Sequence, residues 1–161
     1  MQTSPYEIAV IAGSFTIIGA LLGAWVGYRN ALKIHSITQF NHAAGLFRNA
    51  FLPETTFLKH NANIGGLGSS NKLRELLRAG YLRHLKALEI FKSYLSTTDR
   101  VTIDHVWDEY CHPNGIPQDP NEKRDFRFNE YMKIEESEGA DKAKEVALQK
   151  IHKILGFANV K

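Results

Sequence analysis

The chain opens on one unbroken apolar run and then changes character. Ile8–Val26 (IAVIAGSFTIIGALLGAWV) holds 19 residues without a charged side chain, and everything after it alternates apolar and polar positions. A helix needs about 20 mostly apolar residues to cross a hydrocarbon core of ~30 Å, so the run has the length of a single span. Its hydroxyls, Ser14 and Thr16, can bond back to their own helix and leave no polar group stranded in lipid. Glu7 and Arg29 bound the run, and Tyr6, Trp25 and Tyr28 stand at its ends, where amphipathic rings favour the headgroup zone. The pattern predicts a tail over 1–7, a transmembrane helix over 8–28 and a helical domain over 29–161. A cleaved signal peptide fits less well. It calls for a basic leader, a shorter apolar stretch and a small-x-small cleavage site.

Gly19, Gly23 and Gly27 recur every four residues, beside a second small-residue stripe of Ala12, Thr16, Ala20 and Ala24. Spacing of four puts each set on one helix face, where small side chains let two backbones approach closely. The expectation is a face for self-association between copies. Membrane helices are also rich in Gly and Ala without any such role.

Beyond Arg29 the period is helical. Phe40, Ala44, Phe47 and Phe51 fall at i, i+4, i+7 and i+11, so the first helix is expected to run on out of the apolar segment to about Leu52. Pro53 breaks it and suits the first turn of a new helix, with Glu54 placed to complement the positive helix end. Asn61–Asn71 (NANIGGLGSSN) reads as a loop; its glycines lack the order of a phosphate-binding loop. Leu73, Leu77, Tyr81, Leu85, Leu88, Phe91 and Leu95 make the longest stripe, widened by Leu76, Leu82 and Ile90. They predict a central helix to about Tyr94 with His84 packed beside it. A further helix is expected near Thr102–Cys111, buried through Ile103, Val106, Trp107 and Tyr110. His112–Asn121, with three prolines, reads as a loop. A helix from about Phe126 should end at Gly139, and a last one from Asp141 to Leu155 should end with Gly156 as its cap. The fold class expected is all-α, with about four to five helices in the domain.

Charge adds direction. No Lys or Arg precedes the apolar run, while Arg29 and Lys33 follow it closely. The positive-inside rule then places the N-terminus outside and the domain in the cytoplasm. Net charge is +3, but from Arg29 to Lys92 ten Lys and Arg stand against three acids, and from Ser93 to Lys161 ten stand against thirteen. The basic half adjoins the anchor, where basic residues gain about 1 kcal/mol each near anionic lipid. Trp25, Tyr28, Arg29 and Lys33 are the expected membrane-interface residues. Nucleic acid is a poor fit, for no aromatic-basic platform or known motif appears. Aromatics at 11% exclude a disordered chain. A single cysteine, Cys111, excludes an internal disulfide and agrees with a reducing compartment.

Candidate chemistry is sparse. His35 and His42 share a face, yet no further ligand of suitable spacing accompanies them, so no metal and no cofactor is expected. Asp108, Glu109, Cys111 and His112 are the one cluster that could serve a hydrolase. Sequence neighbours of this kind seldom aim at one another, and a nucleophilic thiol needs surroundings that lower its pKa. The expectation is a non-enzyme.

Three stretches, Phe47–Glu54 (FRNAFLPE), Arg83–Leu95 (RHLKALEIFKSYL) and Val106–Cys111 (VWDEYC), together resemble a group of small bacterial proteins of uncharacterised activity with an N-terminal membrane anchor. The resemblance implies a bacterial inner-membrane location and an all-helical domain, and carries no activity or site residue with it. The function expected is a protein-interaction or regulatory module with an unknown protein partner, self-associating through its anchor. The alternative is a membrane-targeting effector of a defence or toxin system, and after it a membrane-bound hydrolase.

Overall fold

The computed structural model describes residues 5–60 and 72–159; of these, the side chains of 5–17, 72 and 125 are not described. Seven α-helices and a closing 3-10 turn make up the described residues, with no strand among them, so the all-α expectation holds. The helices are α1 (Pro5–Ala50), α2 (Leu52–His60), α3 (Lys72–Lys92), α4 (Thr97–Cys111), α5 (Pro120–Asp125), α6 (Asn129–Glu138) and α7 (Ala140–Leu155), followed by the turn Gly156–Ala158. The loop expected over Asn61–Asn71 lies outside the described residues.

The chain divides into two compact units, residues 1–40 and 41–161. The first is the helical stretch of α1 up to Phe40. Of its described apolar side chains, Ile18, Leu21, Leu22, Trp25, Val26, Tyr28, Leu32 and Ile34 are exposed, Ile37 is half-buried and Phe40, at its end, is buried. Among the described residues no helix is long and apolar enough to cross a membrane. The span expected over 8–28 is thus not found among them, and the side chains of 8–17, which belong to it, lie outside.

The second unit owns the core. α7 packs against α6, α4 and α2, and α3 against α6 and α2. The stripe read from the sequence supplies the aromatic centre. Phe47 stacks on Phe91 at 4.7 Å between centroids and meets Phe51 edge to face at 5.4 Å, geometries worth roughly 0.5–1.5 kcal/mol beyond area burial. Ala43, Ala44 and Ala50 let neighbours close on this end of α1, and all three are buried.

Several boundaries differ from the sequence reading. α4 starts five residues early, at Thr97, because Ser96 caps it by accepting from the Asp99 N–H at 3.1 Å. α5 occupies part of what reads as a loop. Its N-cap Asp119 accepts from the Asn121 N–H, and Pro120 takes the first helical position, where a missing N–H does no harm. Leu82 and Ile90 do not widen the core; they are exposed, Leu82 by 74%. Gly156 caps α7, but in right-handed geometry (φ −58°), because the chain tightens into a 3-10 turn instead of reversing. The Arg48 guanidinium ties that turn down by donating to the Ala158 carbonyl.

Candidate functional site

Two places in the second unit concentrate chemistry. The first is a buried polar chain. The helix restarts at Leu52, one residue after α1 ends, with Pro53 in its first turn, and this turn brings Glu54 inward, where it is 2% exposed. Across from it, α3 offers Arg83 and His84. Arg83 donates to the Glu54 carboxylate at 2.5 Å and, through Nε, to the Ala50 carbonyl at 2.8 Å, thereby capping α1. His84, fully buried, faces Glu54 Oε2 with Nε2 at 3.0 Å and the Tyr110 hydroxyl with Nδ1 at 3.2 Å. A carboxylate only accepts, so Nε2 carries a proton. Phe51 stacks flat on the imidazole, with 4.0 Å between centroids and 10° between planes. Burial alone would push the Glu54 carboxyl up. The hydrogen bond and charge of His84, together with Arg83, outweigh that and hold it below its usual range. Burial pushes the Tyr110 hydroxyl well above the ordinary phenol range, so it stays protonated. Tyr131 closes the chain by donating to the Tyr110 carbonyl at 3.0 Å.

This network is a clasp in form. It joins α2, α3, α4 and α6, and its central members Glu54, His84, Tyr110 and Tyr131 are sealed from solvent. Glu54 and Tyr110 were legible only as a helix-end charge and a core ring, since their partner His84 lies 30 and 26 residues away respectively.

The second place is a cavity of about 220 Å³ beside the end of α4. Asp108, Cys111 and His112 line it together with Tyr81, Trp107, Lys123 and Arg127. Three of the four residues singled out from the sequence therefore share one space, because i, i+3 and i+4 lie on one helix face. Glu109 does not join them; it is turned to Lys150 and Lys153 of α7, at 3.1 and 2.9 Å, which hold its carboxyl below the usual range. The Cys111 thiol is pushed up to about 12 by burial, so it is a thiol and not a thiolate at neutral pH. His112 donates from Nε2 to the Lys123 carbonyl at 2.9 Å, and its Nδ1 stands 3.7 Å from Glu130 Oε2, beyond hydrogen-bond range. Asp108 is ion-paired to Lys123. The arrangement has no activated nucleophile. Among the described residues no group of three or more His, Cys, Asp or Glu is set to hold a metal ion.

Phe128 positions one wall. It adopts φ 64°, uncommon for a side chain of this bulk, and is held there by donating its N–H to the Cys111 carbonyl at 2.8 Å and by packing its ring 5.2 Å from Tyr110. The segment carrying Lys123, Arg124 and Arg127 is thereby fastened to the end of α4.

In the first unit, a Cβ added at Gly19, Gly23 or Gly27 would meet nothing within 4 Å. The Arg29 guanidinium lies 4.9 Å above the Trp25 ring. Tyr28 is exposed. Compared with known families, curated proteins and solved structures, the chain shows no match.

Proposed function

We propose that this chain is a single-pass protein of a bacterial inner membrane, anchored by 8–28 with its N-terminus outside, and that its helical domain is a non-enzymatic interaction or regulatory module. In this reading it self-associates along Gly19, Gly23 and Gly27 and takes a further protein partner. The observation that carries the reading is the exposed apolar surface of α1. Ile18, Leu21, Leu22, Trp25, Val26 and Tyr28 take up roughly one half of the helix circumference, Gly19, Ala20, Gly23, Ala24 and Gly27 take up the other, and none is covered. A helix that is apolar all round needs a cover, and lipid supplies one on every side at once. Trp25 and Arg29 stack where the apolar run ends, which suits a headgroup boundary. The open ridge at the three glycines leaves room for a second backbone.

A non-catalytic role is favoured by the state of the polar groups. The thiol at Cys111 is protonated, and the clasp of Glu54, His84 and Tyr110 is committed to internal partners. Joining two anchors would raise the effective concentration of the attached domains without any new contact between them. Crosslinking in native membranes tests the self-association. The wild-type chain should give a dimer band and Gly23→Ile should lose it, whereas an equal dimer from both would contradict the glycine face.

A further inference from the structure

The glycines mark one face of α1, and a second face is patterned differently. At about 100° per residue, Ile18, Leu22, Trp25, Val26, Arg29 and Lys33 fall within one arc of about 100°, and Gly19, Gly23 and Gly27 fall outside it. All six side chains on the arc are exposed. The first four are apolar and the last two are cations, so the track is apolar along its length and basic at one end. The charge there is uncompensated. No Asp or Glu occurs from Ile8 to Pro53. Arg29 and Lys33 stand four apart, where like charges on a helix repel. Among the described residues neither has an ion-pair partner or a hydrogen-bond acceptor for its side chain. The Arg29 guanidinium lies 4.9 Å from the centre of the Trp25 ring, which holds the cation at the edge of the apolar part.

We propose that this track binds an anionic phospholipid, with the phosphate held by Arg29 and Lys33 and an acyl chain laid along Ile18, Leu22 and Val26. The proposal rests on the anchored reading of 8–28 and names the lipid class that the anchor selects. The chemistry matches at the basic end, since a guanidinium fork offers paired N–H donors to phosphate oxygens and the lysine ammonium adds a second charge. The length matches too. Ile18 to Arg29 covers about 16 Å of helix, close to one leaflet of a ~30 Å hydrocarbon core. An acidic protein segment would meet the two cations and leave Ile18, Leu22 and Val26 bare, whereas one lipid covers both parts. A zwitterionic head group brings no net charge to the two cations, and an anionic one does. Because the glycines lie outside the arc, the lipid and a second copy of the chain take different faces of α1.

Trp25 sits on the track and gives the test. The full chain is reconstituted into vesicles of phosphatidylcholine with a minority of phosphatidylglycerol, and bromine atoms, which quench indole emission, are carried on the acyl chains of one lipid or the other. The chain has two tryptophans, so the Trp25 signal is taken as the difference from Trp25→Phe. The expected result is quenching by both bromolipids, with phosphatidylglycerol exceeding its mole share several-fold, since one cation near an anionic head group is worth about fivefold. Changing Arg29→Gln and Lys33→Gln together should bring phosphatidylglycerol back to its mole share while phosphatidylcholine still quenches. If that double variant fails to insert, the two single variants carry the test, each expected to lower the excess. Quenching by phosphatidylglycerol in proportion to its mole share, or an excess that the Gln variants retain, overturns the lipid site and leaves the anchor standing. Quenching by neither lipid overturns the anchored reading, and the site with it.

Discussion

Gly80 lies directly beneath the Glu54 carboxylate: a Cβ at position 80 would stand 2.5 Å from Glu54 Oε1 and 2.7 Å from His84 Cε1. The missing side chain is what allows α3 to pass close enough for Arg83 and His84 to reach the same carboxylate. In an ordinary helix, Gly→Ala stabilises by about 1 kcal/mol. Here the added methyl would displace a buried carboxylate from Arg83 and His84. Gly80→Ala is therefore expected to destabilise the fold by about 2–3 kcal/mol in urea unfolding. A variant as stable as the parent chain would show that the clasp yields without loss.

The same carboxylate sets an acid dependence. Its pKa is lowered in the folded state, so the unfolded chain holds that proton more tightly than the folded one. The stability it contributes is complete above its ordinary value of about 4.3 and is lost as pH falls through the lower folded value. Glu54→Gln keeps the shape and removes the charge. It should cost about 1–3 kcal/mol at pH 7, with the gap to the parent chain narrowing in strong acid. Urea midpoints from pH 3 to pH 7 check this; a gap independent of pH would contradict it.

Tyr110 gives a second handle on the clasp. Its hydroxyl is buried, protonated and 3.2 Å from His84 Nδ1. Tyr110→Phe keeps the ring contacts and strands the imidazole nitrogen, which is expected to lower stability by about 1–2 kcal/mol. A loss well under that in thermal unfolding would mean that Nδ1 finds another partner.

Cys111 is expected to be inert. With its thiol pushed up to about 12, iodoacetamide at pH 8 should leave the folded chain unmodified and label it fully once it is unfolded in urea. Rapid labelling of the folded chain would point to a thiolate and reopen the hydrolase alternative.

Much of the fold could be read from the sequence because its helices carry strong periods. The aromatic positions Phe47, Phe51 and Phe91 were placed correctly in the core by spacing alone. Leu82 and Ile90 were not, because two or three apolar residues beside a stripe look like part of it until neighbouring helices fix how wide the buried face is. α4 began earlier than its first apolar residues because Ser96 caps it, and capping acts ahead of the hydrophobic pattern. The clasp was hidden for a different reason. Glu54, His84 and Tyr110 belong to three helices, and only packing brings them together. The cavity was half visible: the offsets among Asp108, Cys111 and His112 put them on one face and leave Glu109 on another, while the cations facing them come from a stretch that reads as loop and charged helix.

Whether lipid covers α1 is the central question, and alkaline carbonate extraction of membranes from expressing cells answers it most directly. High pH strips proteins held by charge or by partners and leaves integral helices in the bilayer. The account predicts that the full chain stays in the membrane pellet at pH 11 and that a chain lacking residues 1–28 moves to the supernatant. Release of the full chain into the supernatant would contradict it.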